Sequence, residues 1–339
     1  MNEPPRYHRL LVTDVVDETP DTRSLVLSVP PPLATEFAYR PGQYLTVRVP
    51  HDGHGSVARC YSLSSSPQTD RDLKITVKRV VDGHGSNWIC DRVRPGAVLD
   101  ISSPAGNFTP STLDSDLLLL AGGSGITPVI SILKAALVDG RGHVFLGYAN
   151  RDEGSVIFAE ELRRLELRYA DRLRVAHWLD TVHGPPTVDR MKELIREYAR
   201  RDAFVCGPDP YMTVVCQALH QLGTPGRQVH VERFTTPEPP ASAPAPGNRV
   251  ATVEVELDGA THRLSWPASV RLLDVLIDAG LNPPFSCRQG ICGACACRIV
   301  RGTVELVHNE VLEDEDFADG YTLACQALPR SDTVSVTYS

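Results

Sequence analysis

LLLLAGGSGITP, residues 117–128, runs from an unbroken leucine stretch into a turn of glycines and hydroxyl residues closed by a proline. A short apolar run without alternation is what a strand buried on both faces requires, and Pro128 suits the first turn of a helix. The stretch therefore reads strand, glycine turn, helix. The same alternation recurs outward along the chain. HVFLGYA precedes a helix over 158–169, LRVAHWL precedes one over 189–199, and AFVCG precedes one over 209–222. Repeated strand–helix units predict an α/β doubly wound parallel sheet across residues 113–234. Such sheets bind ligands at the carboxyl ends of their strands, and glycines at a helix N-terminus let phosphates approach the backbone. The candidates are Gly122, Gly123, Ser124, Gly125 and Thr127, with Cys206, Gly207 and Pro208 at the end of another apolar strand. The turn is not G-x-G-x-x-G, so the dinucleotide fingerprint alone does not secure it.

Towards the N-terminus the pattern changes. Over residues 1–112, short β-rich runs at 9–16, 23–29, 43–49 and 73–80 are separated by turn residues, which predicts an antiparallel β-barrel. Within it, Arg59-Cys60-Tyr61-Ser62 lies on an alternating strand with Arg59 and Tyr61 on one face. There an arginine pairs with a cofactor phosphate, a tyrosine ring lies against a flat ring system such as a flavin, and a serine bonds the ring edge. The motif alone also suits any amphipathic strand. Farther on, VKRVVDGHGSNW contributes Lys78 and places Gly85 and Ser86 at the start of a helix, where backbone N–H groups bind pyrophosphate. His84 reads as a turn residue.

Towards the C-terminus, TTPEPPASAPAPGNR (235–249) has five prolines and no apolar periodicity, the mark of an extended linker. Beyond it, 250–339 reads as an α+β module: a hairpin, an amphipathic helix over 269–279, a cysteine-rich loop and short strands. In that loop Cys287-x4-Cys292-x2-Cys295, with Cys325 later, has the ligand spacing of a plant-type [2Fe-2S] cluster. Three thiolates from one curled loop demand small residues, and Gly290, Gly293 and Ala294 supply them. A structural zinc site also takes four thiolates, but it usually repeats a C-x2-C pair, and only one occurs here. Cys297 enters the next strand and reads as a packed thiol, as do Cys60, Cys90 and Cys216 among apolar or helical neighbours.

The chain has 339 residues, 42% of them hydrophobic, enough for two or three cores. Its net charge of −8 argues against a nucleic-acid surface. Residues 250–339 hold six arginines, no lysine and thirteen acidic residues, a charge of −7. The run Glu310 to Asp319 is either a solvated helix face or a docking face. The start, MNEPPRYHRL, lacks the apolar core of a signal peptide, and no apolar run approaches the ~18 residues that span a bilayer. A soluble cytoplasmic protein is the expectation.

R-x-Y-S, GGSGITP and C-G-P in this order resemble the ferredoxin–NADP reductase superfamily over residues 1–234. The segment from 250 resembles plant-type ferredoxins, with the β-grasp fold that this implies. At finer grain SVARCYSLSSSP, ANRDEGSVIF and PFSCRQGICGACAC look most like the reductase components of 3-ketosteroid 9α-hydroxylases, with phenylacetyl-CoA epoxidase reductases as near relatives. The resemblance implies FAD between barrel and sheet, contacted by Arg59, Tyr61 and Ser62, with Thr127 and Cys206 facing the nicotinamide and Phe234 near the flavin. It implies NADH in preference to NADPH, although both Arg151, suited to a 2′-phosphate, and Asp152, suited to free ribose hydroxyls, follow GYAN. It further implies electron transfer to an oxygenase, Rieske-type by this reading, with no membrane partner. A flavin and iron–sulfur redox sensor without turnover and a flavin reductase with a zinc-bound tail are the alternatives of a different kind.

Overall fold

The computed structural model describes residues 7–50, 56–81, 83–234, 250–257, 259–281, 283–285, 290, 295–309, 312 and 314–338. The proline-rich stretch 235–249 lies outside them, as do Cys287, Cys292, Gly293, Ala294 and part of the acidic run. The chain divides into two compact units. One comprises His8–Val49 and Cys60–Phe234; the other comprises Thr235–Ser339 with the short segments Met1–Tyr7 and Pro50–Arg59.

The first sheet is built from β1 (Tyr7–Thr19), β2 (Thr22–Ser28), β3 (Tyr44–Pro50), β4 (Ser56–Ser62), β5 (Leu73–Lys78) and, after helix α1 (His84–Arg92), β6 (Val98–Ser102). Its strand order is β4-β3-β6-β1-β2-β5, and a bridge between Leu63 and Ile75 joins the two end strands into a barrel. The period of two is visible in β1, where Leu10 and Val12 are buried while Leu11 between them is exposed. Cys60 departs from the sequence expectation: it is exposed, while Arg59 and Tyr61 beside it are half-buried, and its Sγ lies 3.5 Å from Thr46 Oγ1.

The second layer is the parallel sheet. It comprises β7 (Leu117–Gly122), α2 (Ile126–Val138), β8 (Val144–Asn150), α3 (Ala159–Arg168), β9 (Leu173–Leu179), α4 (Asp180–His183), α5 (Val188–Ile195), β10 (Asp202–Cys206), α6 (Asp209–Gln221) and β11 (Val229–Glu232). Strand order is β11-β10-β7-β8-β9, with every pair parallel. β7 and β8 are buried at every residue, as their uninterrupted apolar runs require, because helices cover both faces. Leu119, Ile130 and Leu162 pack in one core with α2 and α3; Leu120, Met191 and Met212 pack in the other with α5 and α6. The connections run outward from β7 through β8 to β9, then return to β10 on the other side. That reversal opens a crevice between β7 and β10, above the carboxyl ends of both.

In the other unit β12 (Val250–Leu257), β13 (Ala260–Pro267), α7 (Leu272–Asp278), β14 (Ala296–Arg301), β15 (Val304–Leu306), α8 (Asp314–Ala318), β16 (Tyr321–Leu323), β17 (Ala327–Pro329) and β18 (Thr333–Thr337) form a mixed sheet of order β13-β12-β18-β14-β16 with a two-strand annex, β15-β17. Helix α7 lays Leu272, Leu273 and Leu276 on the sheet around the fully buried Trp266, an α+β β-grasp arrangement. Trp266 Nε1 donates to Val270 O at 2.7 Å, and this turn delays the helix start to Leu272, so α7 is shorter than its sequence pattern predicts. Among the described residues no helix is long and apolar enough to cross a membrane.

Candidate functional site

The glycine turn and the C-G-P turn meet at the crevice. A Cβ on Gly125 would lie 2.1 Å from Cys206 O, and one on Gly207 would lie 3.0 Å from the Gly122 backbone. Only residues without side chains let the two turns approach this closely, so the floor of the crevice is built of backbone. Tyr148 Oη donates to Gly123 O at 3.0 Å and accepts from Ile157 N at 3.3 Å, fixing the turn from beneath. Thr127 Oγ1 donates to Ser124 O at 3.0 Å. Gly122 to Gly125, Thr127, Cys206, Gly207 and Pro208 are thus brought together at one sheet edge. Cys206 and Thr127 are buried, and burial pushes the Cys206 thiol far above its usual range, with Glu232 adding to the effect. Phe234, just past β11, is exposed.

At the end of β8, the next strand, Arg151 Nε lies 2.9 Å from Asp152 Oδ2 and its Nη2 lies 3.2 Å from Ser155 Oγ, which in turn donates to Asp152 Oδ1 at 2.7 Å. The Arg151 guanidinium holds the Asp152 carboxyl below its ordinary range, with the Ser155 bond helping. Two residues that sequence reasoning missed belong to the same edge. Asn150 is buried beside the Tyr148 hydroxyl without a well-formed hydrogen bond to either amide atom, and Asp180 Oδ1 is buried and unbonded. The available signal was a polar residue ending an otherwise apolar strand, GYAN.

In the barrel Ser62 is buried, Tyr61 and Arg59 are half-buried, and one Arg59 Nη donates to Ala58 O at 2.8 Å. Lys78 lies 3.6 Å from Asp21 across the neighbouring hairpin. At α1, Gly85 and Ser86 are buried in the first turn, and Ser86 Oγ accepts from Val80 N at 3.1 Å, which fixes the helix entry without consuming its own first-turn N–H groups. His84 is the first helical residue.

Two of the four predicted metal ligands, Cys295 and Cys325, lie among the described residues, and both are buried. Cys325 N donates to Cys295 Sγ at 3.4 Å, and Gln326 Nε2 donates to Cys325 Sγ at 3.7 Å. Ala324, the residue before, bonds both Cys295 O and the start of α7, so the two cysteines are tied into one core. Gly290 has φ of +79°, and a Cβ there would lie 2.5 Å from His308 O. Two buried thiols, with a backbone N–H directed at one sulfur and a side-chain amide N–H at the other, fit the part of a [2Fe-2S] ligand set that lies among the described residues. Cys297 points into the core, where burial raises its pKa, consistent with a packed thiol.

Residues 9–109 match the oxidoreductase FAD-binding domain family, 119–217 the oxidoreductase NAD-binding domain family and 255–330 the 2Fe-2S iron–sulfur cluster binding domain family. The chain is 52% identical to the ferredoxin reductase component of 3-ketosteroid-9-alpha-monooxygenase of Rhodococcus rhodochrous, over 97% of this chain and 96% of that one. The chain belongs to this family of oxygenase reductase components. The reductase is also 31% identical to one of the subunits of the 1,2-phenylacetyl-CoA epoxidase of Escherichia coli, with 98% of each chain covered. Among solved structures, phthalate dioxygenase reductase, described as a modular structure for electron transfer from pyridine nucleotides to [2Fe-2S], is 27% identical with a TM-score of 0.59 and 98% of each chain covered. The reductase is an oxidoreductase that uses FAD, a nicotinamide nucleotide and a [2Fe-2S] cluster.

Proposed function

We propose that this reductase takes hydride from NADH onto FAD and delivers single electrons through its [2Fe-2S] cluster to a Rieske-type oxygenase, the 3-ketosteroid 9α-hydroxylase. The observation that carries the choice of oxygenase is the 52% identity to its reductase component over nearly the full length, against 31% for the epoxidase relative. The epoxidase, or another ring-hydroxylating or diiron oxygenase, is the second reading. The site of action is the cytoplasm, where the nicotinamide nucleotide is supplied.

Bound FAD converts a two-electron hydride into one-electron steps. The chain's own residues align it. Arg59 and the first turn of α1, with Gly85 and Ser86, hold its phosphates, with Cys60 and Lys78 at the margins of that site. Tyr61 and Ser62 would hold the ring, with Phe234 near it. The glycine turn receives the nucleotide phosphates, and Thr127, Cys206, Gly207 and Pro208 shape the nicotinamide end; the buried, protonated Cys206 thiol fills space and repels no hydride. At the ribose end the Arg151 charge is already matched by Asp152, so no free guanidinium waits for a 2′-phosphate, which favours NADH. Cys287, Cys292, Cys295 and Cys325 would hold the cluster.

The test is to supply NADH and the purified reductase to two oxygenases, a ketosteroid 9α-hydroxylase with its Rieske centre and a phenylacetyl-CoA epoxidase. Reduction of the first, at least tenfold faster than the second, is expected. The reverse order would replace the steroid reading with the epoxidase one.

A further inference from the structure

Among the described residues, Lys134 is the only charged side chain that is buried, and it sits in the second half of a helix with no other charged residue. Its Nζ lies 2.8 Å from Asp70 Oδ2 and 3.2 Å from Glu161 Oε1. Lys74 approaches the same Glu161 at 3.7 Å and lies over the ring of Phe158. Asp70 belongs to the barrel side and Glu161 to α3, so the lysine joins the two halves of one compact unit. One turn earlier on the same helix face, Ser131 Oγ donates to Ser65 O at 2.6 Å, and Gly42 N donates to Ser131 Oγ at 3.4 Å. Thr127, Ser131 and Lys134 stand at i, i+4 and i+7, a single stripe that begins at the glycine turn.

The partners on the barrel side form a closed loop. Asp70 Oδ2 accepts from Ser66 N and from Thr69 Oγ1, each at 2.8 Å, while Ser64 N donates to Lys74 O at 2.7 Å. This loop leaves β4 directly after Ser62. One helix face therefore grips the segment that continues the R-x-Y-S strand, and the same helix begins at the turn that receives the nucleotide. A buried ion pair is a poor source of net stability, since desolvation offsets the attraction and an apolar contact would hold the helix as well. What it supplies is direction: a lysine with two carboxylates has one position, where apolar surfaces can slide.

We propose that Lys134 and Ser131 are positioning residues which fix the glycine turn of α2 against the loop after β4 and thereby set the distance from nicotinamide to flavin. The proposal rests on the reading of β4 and the glycine turn as the flavin and nicotinamide sites. Neither residue touches the reacting atoms; both act through the placement of α2.

The experiment uses the full-length holoprotein and Lys134→Met, which keeps the volume and removes the charge. Anaerobic rapid mixing with NADH should show hydride transfer to the flavin slowed on the order of tenfold to a hundredfold, as expected for a small misalignment. Flavin content and NAD⁺ affinity should stay within about twofold, and electron transfer from flavin reduced by light to the cluster should keep its wild-type rate. In flavin-free protein, hydrogen exchange at the Ser66 amide should accelerate, a change that does not depend on activity. If Lys134→Met fails to fold, Ser131→Ala and Asp70→Asn carry the same expectation. Wild-type hydride rates in the folded variants overturn the clamp, whereas wild-type protein that binds no flavin overturns the underlying site reading instead.

Discussion

The nucleotide crevice and the cluster loop solve the problem of holding an anionic cofactor in opposite ways. The crevice is made of backbone: Gly125 sits against Cys206 O, Gly207 against Gly122, and the helix start supplies N–H groups. Its shape is imposed by the packing of two turns. The proposed cluster site rests on side chains, the thiols, of which Cys295 and Cys325 are described and buried with N–H groups directed at sulfur. Four thiolates together are unfavourable without metal, so that site is completed by what it binds. Damage to the crevice should therefore reach the fold, while damage to the ligands should remain local.

The largest expected effect lies on the cluster side. Cys325→Ala should abolish the iron–sulfur absorbance and electron delivery to any oxygenase, while NADH-driven reduction of ferricyanide through the flavin stays near wild type. Iron and sulfide analysis with the two assays checks this, and loss of both activities would contradict the local character of the site. On the crevice side Gly125→Ala forces two turns apart. It should slow flavin reduction by about a hundredfold and cost ~1–3 kcal/mol of stability, read from hydride-transfer kinetics and denaturant unfolding. An unaltered midpoint would mean the close approach is not fixed. Asp152→Ala is milder: it frees Arg151 and should move the NADPH-to-NADH preference by about tenfold, ~1.4 kcal/mol, in kcat/KM for the two nucleotides. The smallest change is Gln326→Leu, which removes one N–H from Cys325 Sγ and should lower the cluster potential by a few tens of millivolts in a redox titration. A potential that rises instead would reverse the assigned role of that amide.

What was legible in the sequence follows the same division. The parallel sheet could be read because β7 and β8 are buried on both faces and leave uninterrupted apolar runs. The 2Fe-2S module could be read because the spacing of Cys287, Cys292 and Cys295 is local. Cys60 could not, since which face of β4 is inward depends on the closure of the barrel through Leu63 and Ile75. Lys134 was invisible for a related reason. Within SILKAALV it resembles one polar residue on an amphipathic helix, and its partners Asp70 and Glu161 come from a remote loop and another helix. Asn150 and Asp180 likewise acquire meaning only when the strand ends are set side by side.

The electron route from nicotinamide through flavin to cluster is tested most directly by anaerobic titration of the purified protein with NADH, followed in the visible spectrum with flavin, iron and sulfide analysis of the same sample. Stoichiometric NADH should bleach both the flavin and the iron–sulfur bands, with NADPH distinctly less effective. Flavin that bleaches in a protein devoid of iron and sulfide would contradict the account and leave a simple flavin reductase.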